Sequence, residues 1–515
     1  MTIQNKILGD FQTPLALAKQ VITTLEAAGY RWERILEPTC GTGAFIQAAI
    51  QAQQSPSEII GIEIQAVYTV QAETISAPQT NIQILHKDIF TLDLKRDLVW
   101  QTQGKLLITG NLPWVTNAEQ GALGGSNLPT KSNFKGYKGL DALTGKSNFD
   151  IAEFIWIKLF HEFKDEPVTL ALLCKTSTAR SVLSYAHKAR LSISDARLYS
   201  INSQKWFNAA VDACLFVLDL NITSPNYEAH IFESLDSKAV ASTLHFSGNV
   251  LVADNNAYTD LQFINGRSPI EWRQGIKHDA ASVMELIFEN KVWKNKLGIE
   301  VNIEEEYIYP LLKTADVKEG KLNSIQRGVI IPQKQIGQNT SHLQFSAPRL
   351  WDYLNQYTAI FEQRQSSIYK GKPPFSIFGV GDYSFAPYKV VVSGFYKYAY
   401  FVPVFAINGK PVFCDDTCYL LPCESVIEAL TITAALNHPI AQRFIKSLTF
   451  QDAKRPITKA LLSRIDLNEL ITYLPFDELL DGIKNRSNSV MSLPASKDEM
   501  TASLSWTNYH TPLLL

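Results

Sequence analysis

The chain has 515 residues, of which 46% are hydrophobic and 19% charged, with a formal net charge of −2. That length predicts about two to four domains, each able to bury its own core. The near-neutral balance excludes a protein coated in basic surface, and no apolar run approaches the roughly 20 residues of a membrane span.

In chain order, "LALAKQVITTLEA" (Leu15–Ala27) carries apolar residues at helical spacing, with Pro14 in its first turn and Thr13 placed to cap it. A strand "RILEP", a glycine turn and a helix "GAFIQAAIQAQ" follow. The strands "EIIGIEI", "NIQILHKDI" and "KLLITGN" come next. After them stand the helix "DIAEFIWIKLFHEF" and the strands "VTLALLC" and "CLFVLDL". Repeated strand–helix units with continuous apolar strands predict an α/β fold, a doubly wound and mostly parallel sheet over residues 1–222. Ligands of such sheets bind outside the carboxyl ends of the strands.

The stretch from Val115 to Lys146 is rich in Gly, Asn and Lys and lacks periodicity, which reads as a functional lid or a disordered segment. Residues 223–265 read as a connector. A mixed α+β domain is expected over 266–480, with strands in "GVIIPQ", "YKVVVSGFY" and "AYFVPVF" and a helix near Glu424–Ala435. The polar tail 481–515 is expected to be loosely held. Six cysteines (40, 174, 214, 414, 418, 423) and no signal-peptide apolar region fit a reducing cytoplasm. The spacing Cys414-x3-Cys418-x4-Cys423 could suggest zinc, but no histidine stands at ligand spacing.

Charge is uneven. Residues 321 to 464 hold 16 Lys+Arg against 8 Asp+Glu, a local excess of 16 − 8 = +8. That part can meet a polyanion while the rest stays neutral. Arg364, Lys370, Lys372, Lys389, Lys397, Lys454, Arg455 and Lys459 are the candidates for phosphate contact, and each could equally belong to a solvated face.

Five features stand at predicted strand ends. The first is the turn Glu37-Pro38-Thr39-Cys40-Gly41-Thr42-Gly43, where glycines let a ligand approach backbone and a helix N-terminus. The second is Glu63, about 20 residues on, where an acid can bind a ribose diol. The third is Asp88, placed to accept from an adenine amino group. The fourth is Asn111-Leu112-Pro113-Trp114, and the fifth is Phe207, just before the last strand. Each has an ordinary reading: a common G-x-G turn, a helix-end acid, a loop acid, a core aromatic. Their order is what points to an adenosine-bearing cofactor. The absence of G-x-x-x-x-G-K-[ST] argues against ATP, and the missing third glycine against a dinucleotide.

On these residues the chain resembles the S-adenosylmethionine-dependent DNA amino-methyltransferases, and within them the adenine-N6 (gamma) class typified by the TaqI methyltransferase. "FQTP" (Phe11–Pro14) is similar to the motif that closes over the methionine part, and "LEPTCGTGAF" to the glycine-rich cofactor motif. "IIGIEI" and "HKDIF" are similar to the ribose and adenine motifs. "GNLPW" resembles the catalytic Asn-Pro-Pro-aromatic motif, and "KWFNAAVDACLFVL" a late motif whose phenylalanine packs on the target base. The resemblance implies the class I methyltransferase fold followed by a target-recognition domain. It implies S-adenosylmethionine held by Phe11, Thr13, Pro14, Glu37, Cys40, Gly41, Gly43, Glu63 and Asp88. It also implies that the Asn111 side chain and the Leu112 carbonyl accept the two protons of the adenine amine, with Trp114 and Phe207 clamping a flipped-out base.

One position departs from the pattern: Leu112 stands where the motif usually has its first proline. The carbonyl survives that change, while proline's fixed φ is lost. Asparagine heading the motif favours adenine-N6 over cytosine-N4. The implied partner is double-stranded DNA. With no nuclease-like acidic cluster in the sequence, any paired cleavage is expected on a separate restriction endonuclease chain. Rival readings are a methyltransferase acting on RNA adenine or protein glutamine, and a non-catalytic DNA-binding protein that keeps the fold. The large second domain speaks against the protein-glutamine reading, and the presence of Asn111 and Asp88 against the non-catalytic one.

Overall fold

The structure, a computed structural model, describes residues 12–115, 150–209, 211–220, 225–319, 326–450, 455–486 and 492–508. Phe11, Lys454 and nearly all of the stretch read as a lid lie outside the described residues. The chain forms two compact units, Met1–Ala253 and Asp254–Leu515.

The apolar runs of the first unit become strands of one sheet. Its strands are β1 (Arg34–Glu37), β2 (Glu58–Glu63), β3 (Asn81–His86), β4 (Leu106–Asn111), β5 (Val168–Lys175), β6 (Ile193–Ile201), β7 (Ala213–Leu220), β8 (Ala229–Phe232), β9 (Ser242–Ser247) and β10 (Val250–Val252). Their order is β10-β9-β8-β6-β7-β5-β4-β1-β2-β3. From β3 to β5 every neighbour is parallel, and β7 is antiparallel to both β5 and β6. Chain order reverses between β1 and β4, which opens the crevice where ligands of such sheets sit. This is the class I methyltransferase arrangement.

The helices are α1 (Leu15–Ala27), α2 (Ala44–Ile50), α3 (Ala66–Ala72), α4 (Leu94–Asp97), α5 (Ile151–Phe163), α6 (Thr176–Ala189) and α7 (Ser203–Phe207). Helix α1 buries Leu17, Val21, Ile22 and Leu25 in a core shared with Phe45, Ile46 and Ala49 of α2. Its N-cap is Pro14, whose fixed φ of −61° suits that position; no side chain caps it, so Thr13 does not have the role its type suggested. Asp150 caps α5 by accepting from the Ala152 N–H at 3.0 Å.

Two boundaries differ from the sequence reading. Residues 229–252, read as connector, form β8 to β10 at the edge of the first sheet. Their short alternating runs, such as "STLHFS", bury few side chains and so carry little apolar signal. Beyond them, Tyr258 already packs on Phe444 inside the second unit. In the segment read as a loose tail, the helices Phe476–Lys484 and Lys497–Ala502 bury Ile483 and Met500, and Leu504 is buried after them.

The second unit is mixed α+β. Its strands are β11 (Arg273–Gln274), β12 (Glu285–Glu289), β13 (Val292–Asn295), β14 (Ile308–Leu312), β15 (Arg327–Ile330), β16 (Tyr388–Ser393), β17 (Phe401–Phe405), β18 (Phe413–Cys414) and β19 (Cys418–Cys423). They build a four-stranded sheet, β11-β19-β16-β17, and a five-stranded sheet, β13-β12-β15-β14-β18. Cys414, Cys418 and Cys423 are buried on β18 and β19. Among the described residues, no three His, Cys, Asp or Glu side chains group to hold a metal, and no helix is long and apolar enough to cross a membrane.

Candidate active site

Glu37 ends β1, Glu63 ends β2, Asp88 follows β3 and Asn111 ends β4. Parallel neighbours bring these four ends to one edge of the sheet. There they line a cleft of about 890 Å3, counting space open to solvent, together with Thr13, Cys40, Gly41, Leu112 and Pro113. The size is that of a small-molecule site.

The glycine turn is built to bring backbone close. Gly41 has φ +52°, and a Cβ there would lie 2.6 Å from the Gln12 side chain. Gln12 Oε1 accepts from the Thr42 N–H at 3.1 Å and the Thr42 hydroxyl at 3.2 Å, which folds the "FQTP" segment onto the turn. Gly43, at φ +83°, is the N-cap of α2; it shapes the turn without lining the cleft.

Glu63 locks the same turn from the neighbouring strand. Its Oε2 accepts from the Gly41 N–H at 2.8 Å and its Oε1 from the Gln65 N–H at 2.7 Å. Each carboxylate oxygen carries two lone pairs, so an oxygen that accepts one such bond can accept a second. Asp88 Oδ1 accepts from the Phe90 N–H at 2.9 Å, and Phe90 stands edge-on to Phe154 at 5.4 Å.

Glu37 is 2% exposed, and its Oε2 has no hydrogen-bond partner among the described residues. Burial, with the Glu63 carboxylate beside it, holds its carboxyl well above the usual carboxylate range, against the opposing pull of the Ile46 N–H. Burial likewise pushes the Cys40 thiol up, helped by both carboxylates. The cleft therefore sets three carboxyl groups, Glu37, Glu63 and Asp88, against one lysine, Lys87, which suits a cationic ligand bearing hydroxyl groups.

At the end of β4 the Asn111 carbonyl accepts from the Thr39 hydroxyl at 3.0 Å. The Leu112 N–H donates to the Leu173 carbonyl at 3.4 Å, and the Leu112 side chain is 1% exposed. The residue is thus fixed by a sheet bond that proline could not make. Trp114 and Phe207 are brought together, but as direct neighbours. Their rings meet edge to face, centroids 4.9 Å apart at 68°, and both are buried. A base held between two rings needs them roughly 7 Å apart, so the pair is closed in this structure.

Sequence reasoning missed Gln12, Gln65, Lys87 and the pair Ile151 and Ile155, all of which line the cleft. Gln12 lay inside a motif already singled out. The two isoleucines, four apart on α5, carried the helical spacing of one face.

In the second unit the candidates divide. Lys370 and Lys372 are exposed. Lys389 points inward: it is 1% exposed and donates to the Ala386 and Val412 carbonyls at 2.5 and 3.0 Å, and burial pulls its pKa down to about 8. Arg364 is spent on the fold, donating to the Ser376 and His278 carbonyls at 2.6 and 3.2 Å with its guanidinium 3.7 Å from the Tyr369 ring centroid. Arg455 lies over the Phe395 ring at 4.7 Å and donates to the Asp416 carbonyl, while Lys459 pairs with Glu271 at 2.7 Å. A charge count cannot tell which cations turn inward, and Lys389 and Arg364 are the two it placed wrongly on a solvent-facing surface.

No protein-family model matches the chain. It is 42% identical over 465 residues to the type II methyltransferase M.NspV of Nostoc sp. (strain ATCC 29411 / PCC 7524), covering 90% of this chain and 96% of that one. The chain belongs to the type II methyltransferases. Among solved structures, this methyltransferase is similar to the type IIL restriction-modification enzyme MmeI, determined in complex with DNA. The TM-score is 0.54 at 12% identity, over 99% of this chain and 80% of that one. That second likeness is one of fold. The cofactor of this methyltransferase is S-adenosylmethionine. The lining suits such a cationic, ribose-bearing molecule: the unpartnered Glu37 oxygen and the Glu63 and Asp88 carboxyl groups lie in one groove.

Proposed function

We propose that this chain is the modification enzyme of a restriction-modification system and methylates N6 of a flipped-out adenine in duplex DNA. The carrying observation is that Asn111, Leu112 and Pro113 line the same cleft as Glu37, Glu63 and Asp88. When bound there, S-adenosylmethionine supplies an electrophilic methyl group. The residues supply the rest. The adenine amine is a poor nucleophile because its lone pair is delocalised into the ring. The Asn111 side-chain oxygen and the Leu112 carbonyl accept its two N–H bonds, which turns the lone pair outward toward the methyl. Trp114 and Phe207 part to admit the base and hold its two faces. Positioning supplies much of the rate, and the surplus proton leaves after transfer.

Thr13 and Gln12 close over the methionine end, Glu37 meets its ammonium, Glu63 its ribose and Asp88 its adenine. The second unit reads the DNA, with Lys370 and Lys372 among its phosphate contacts, and cleavage resides on a separate endonuclease chain. Incubating duplex DNA with methyl-labelled S-adenosylmethionine, then analysing nucleosides, tests the reading. Label in N6-methyladenine is the expected result. Label on cytosine would correct the base, and label in RNA or protein but in no duplex would overturn the proposal.

A further inference from the structure

Antiparallel strands β16 and β17 pair up to Val392 and Phe401, and a loop of unusual composition joins them. Hairpin loops favour Gly, Asn, Asp, Pro and Ser, for reasons of backbone geometry. This one, Gly394-Phe395-Tyr396-Lys397-Tyr398-Ala399-Tyr400, has four aromatic residues. Two are tucked under cations: Arg455 lies over Phe395 at 4.7 Å and Lys318 over Tyr396 at 5.6 Å. The other two stand in solvent, Tyr398 at 77% and Tyr400 at 51% exposure, beside exposed Lys397.

That exposure is built in. Ala399, between the two tyrosines, is 2% exposed, and its carbonyl accepts from Gln442 Nε2 at 2.8 Å. The Tyr400 N–H donates to the Tyr398 carbonyl at 3.1 Å, and Asn437 grips both backbone groups of Phe401. Gly394 is held by its N–H on the Thr417 carbonyl. The loop is anchored at both ends while its large apolar rings face water. Single exposed apolar residues are ordinary. Two pinned tyrosines within a group that also holds Lys318, Lys397 and Arg455 are a different case, because rings offer stacking surface and cations offer phosphate contact. Among the described residues, the one acid paired to this group is Asp416, on Arg455.

We propose that the loop Gly394–Tyr400 is a contact element for double-stranded DNA, in which Tyr398 stacks on a base or sugar face and Lys397 pairs with a phosphate. This rests on the DNA reading above and names residues that carry it. The test uses the full chain with cofactor and a duplex fragment that the wild type methylates, with affinity followed by fluorescence anisotropy across a salt series. Tyr398→Ala should weaken binding by about 10- to 100-fold, while Tyr398→Phe, which keeps the ring, binds as wild type. Lys397→Ala should lower the salt slope by about one, which a merely structural residue would not do. Because both side chains are exposed, neither change should disturb folding or cofactor affinity. A Tyr398→Ala, Lys397→Ala double variant with wild-type affinity and salt slope would overturn this inference and leave the DNA reading standing. A wild type that methylates no duplex would overturn both.

Discussion

Glu37 and Glu285 are both buried carboxylates, at 2% and 6% exposure, and they are treated in opposite ways. Glu285, on β12 of the second unit, is answered within the protein. Its Oε2 accepts from Lys296 at 2.7 Å and Lys313 at 2.6 Å, and His278 Nε2 lies 3.7 Å from Oε1. Burial raises its pKa, but the two lysines outweigh that and hold it below the usual range. Glu37 has no such cation, and its carboxyl is pushed up instead. A charge that serves the fold brings its own counter-charge. On the function proposed above, Glu37 is left for the ligand to answer.

Four measurements would break or sharpen that contrast. Glu285→Ala removes the shared acceptor of two partly exposed lysines and should cost roughly 1.5–3 kcal/mol of stability in denaturant unfolding, with cofactor affinity unchanged. A loss below that of an exposed ion pair would mean the network does not hold the second unit. Asn111→Ala should lower methyl transfer by about 10²–10³-fold while leaving cofactor binding and the melting temperature alone. Loss of cofactor binding instead would move Asn111 from acceptor to cofactor ligand.

Glu37→Gln should weaken cofactor binding by about 1.5–3 kcal/mol, yet leave stability at pH 7 equal or higher. The sign follows from the raised carboxyl. Its stabilising share is present while protonated and is lost as pH rises from the unfolded value through the folded one. Cofactor binding to the wild type should therefore release a proton from Glu37, visible by calorimetry in buffers of different ionisation enthalpy and absent in the variant. An identical proton count in both would remove Glu37 from the ligand side of the comparison.

The smallest effect concerns His278. Burial lowers its pKa from 6.5 to about 4. Its neutral form favours folding above pH 6.5, and that share is lost as pH falls toward 4. At pH 5.5 the loss is roughly 1.4 kcal/mol. Glu37 acts in the reverse direction over the acid range. Hydrogen exchange at pH 7 and pH 5.5 should show the second unit loosening on acidification more than the first, and His278→Gln should remove part of that difference.

Glu37, Glu63, Asp88 and Asn111 were legible in the sequence because each is a polar residue ending a continuous apolar run, a local pattern. Gln12 was not, since its role exists only where the chain folds back onto Gly41. Strands β6, β8 and β9 were missed because they mix polar and apolar residues toward an edge of the sheet, where burial is thin, and β10 because it is only three residues long. Lys389 and Arg364 misled because composition carries no direction. Trp114 and Phe207 were singled out by motif, while their direct edge contact is a property of packing alone.

The N–H bond from Leu112 to Leu173 has a mechanical consequence. A proline ring would stiffen the turn after β4 from within its own residue. Here the stiffness is borrowed from β5, a strand buried between β4 and β7. The oxygen that would face the amine is thereby coupled to the middle of the sheet, so strain introduced along β5, well away from the cleft, can travel to it. The turn gains a tether and, with it, a lever arm.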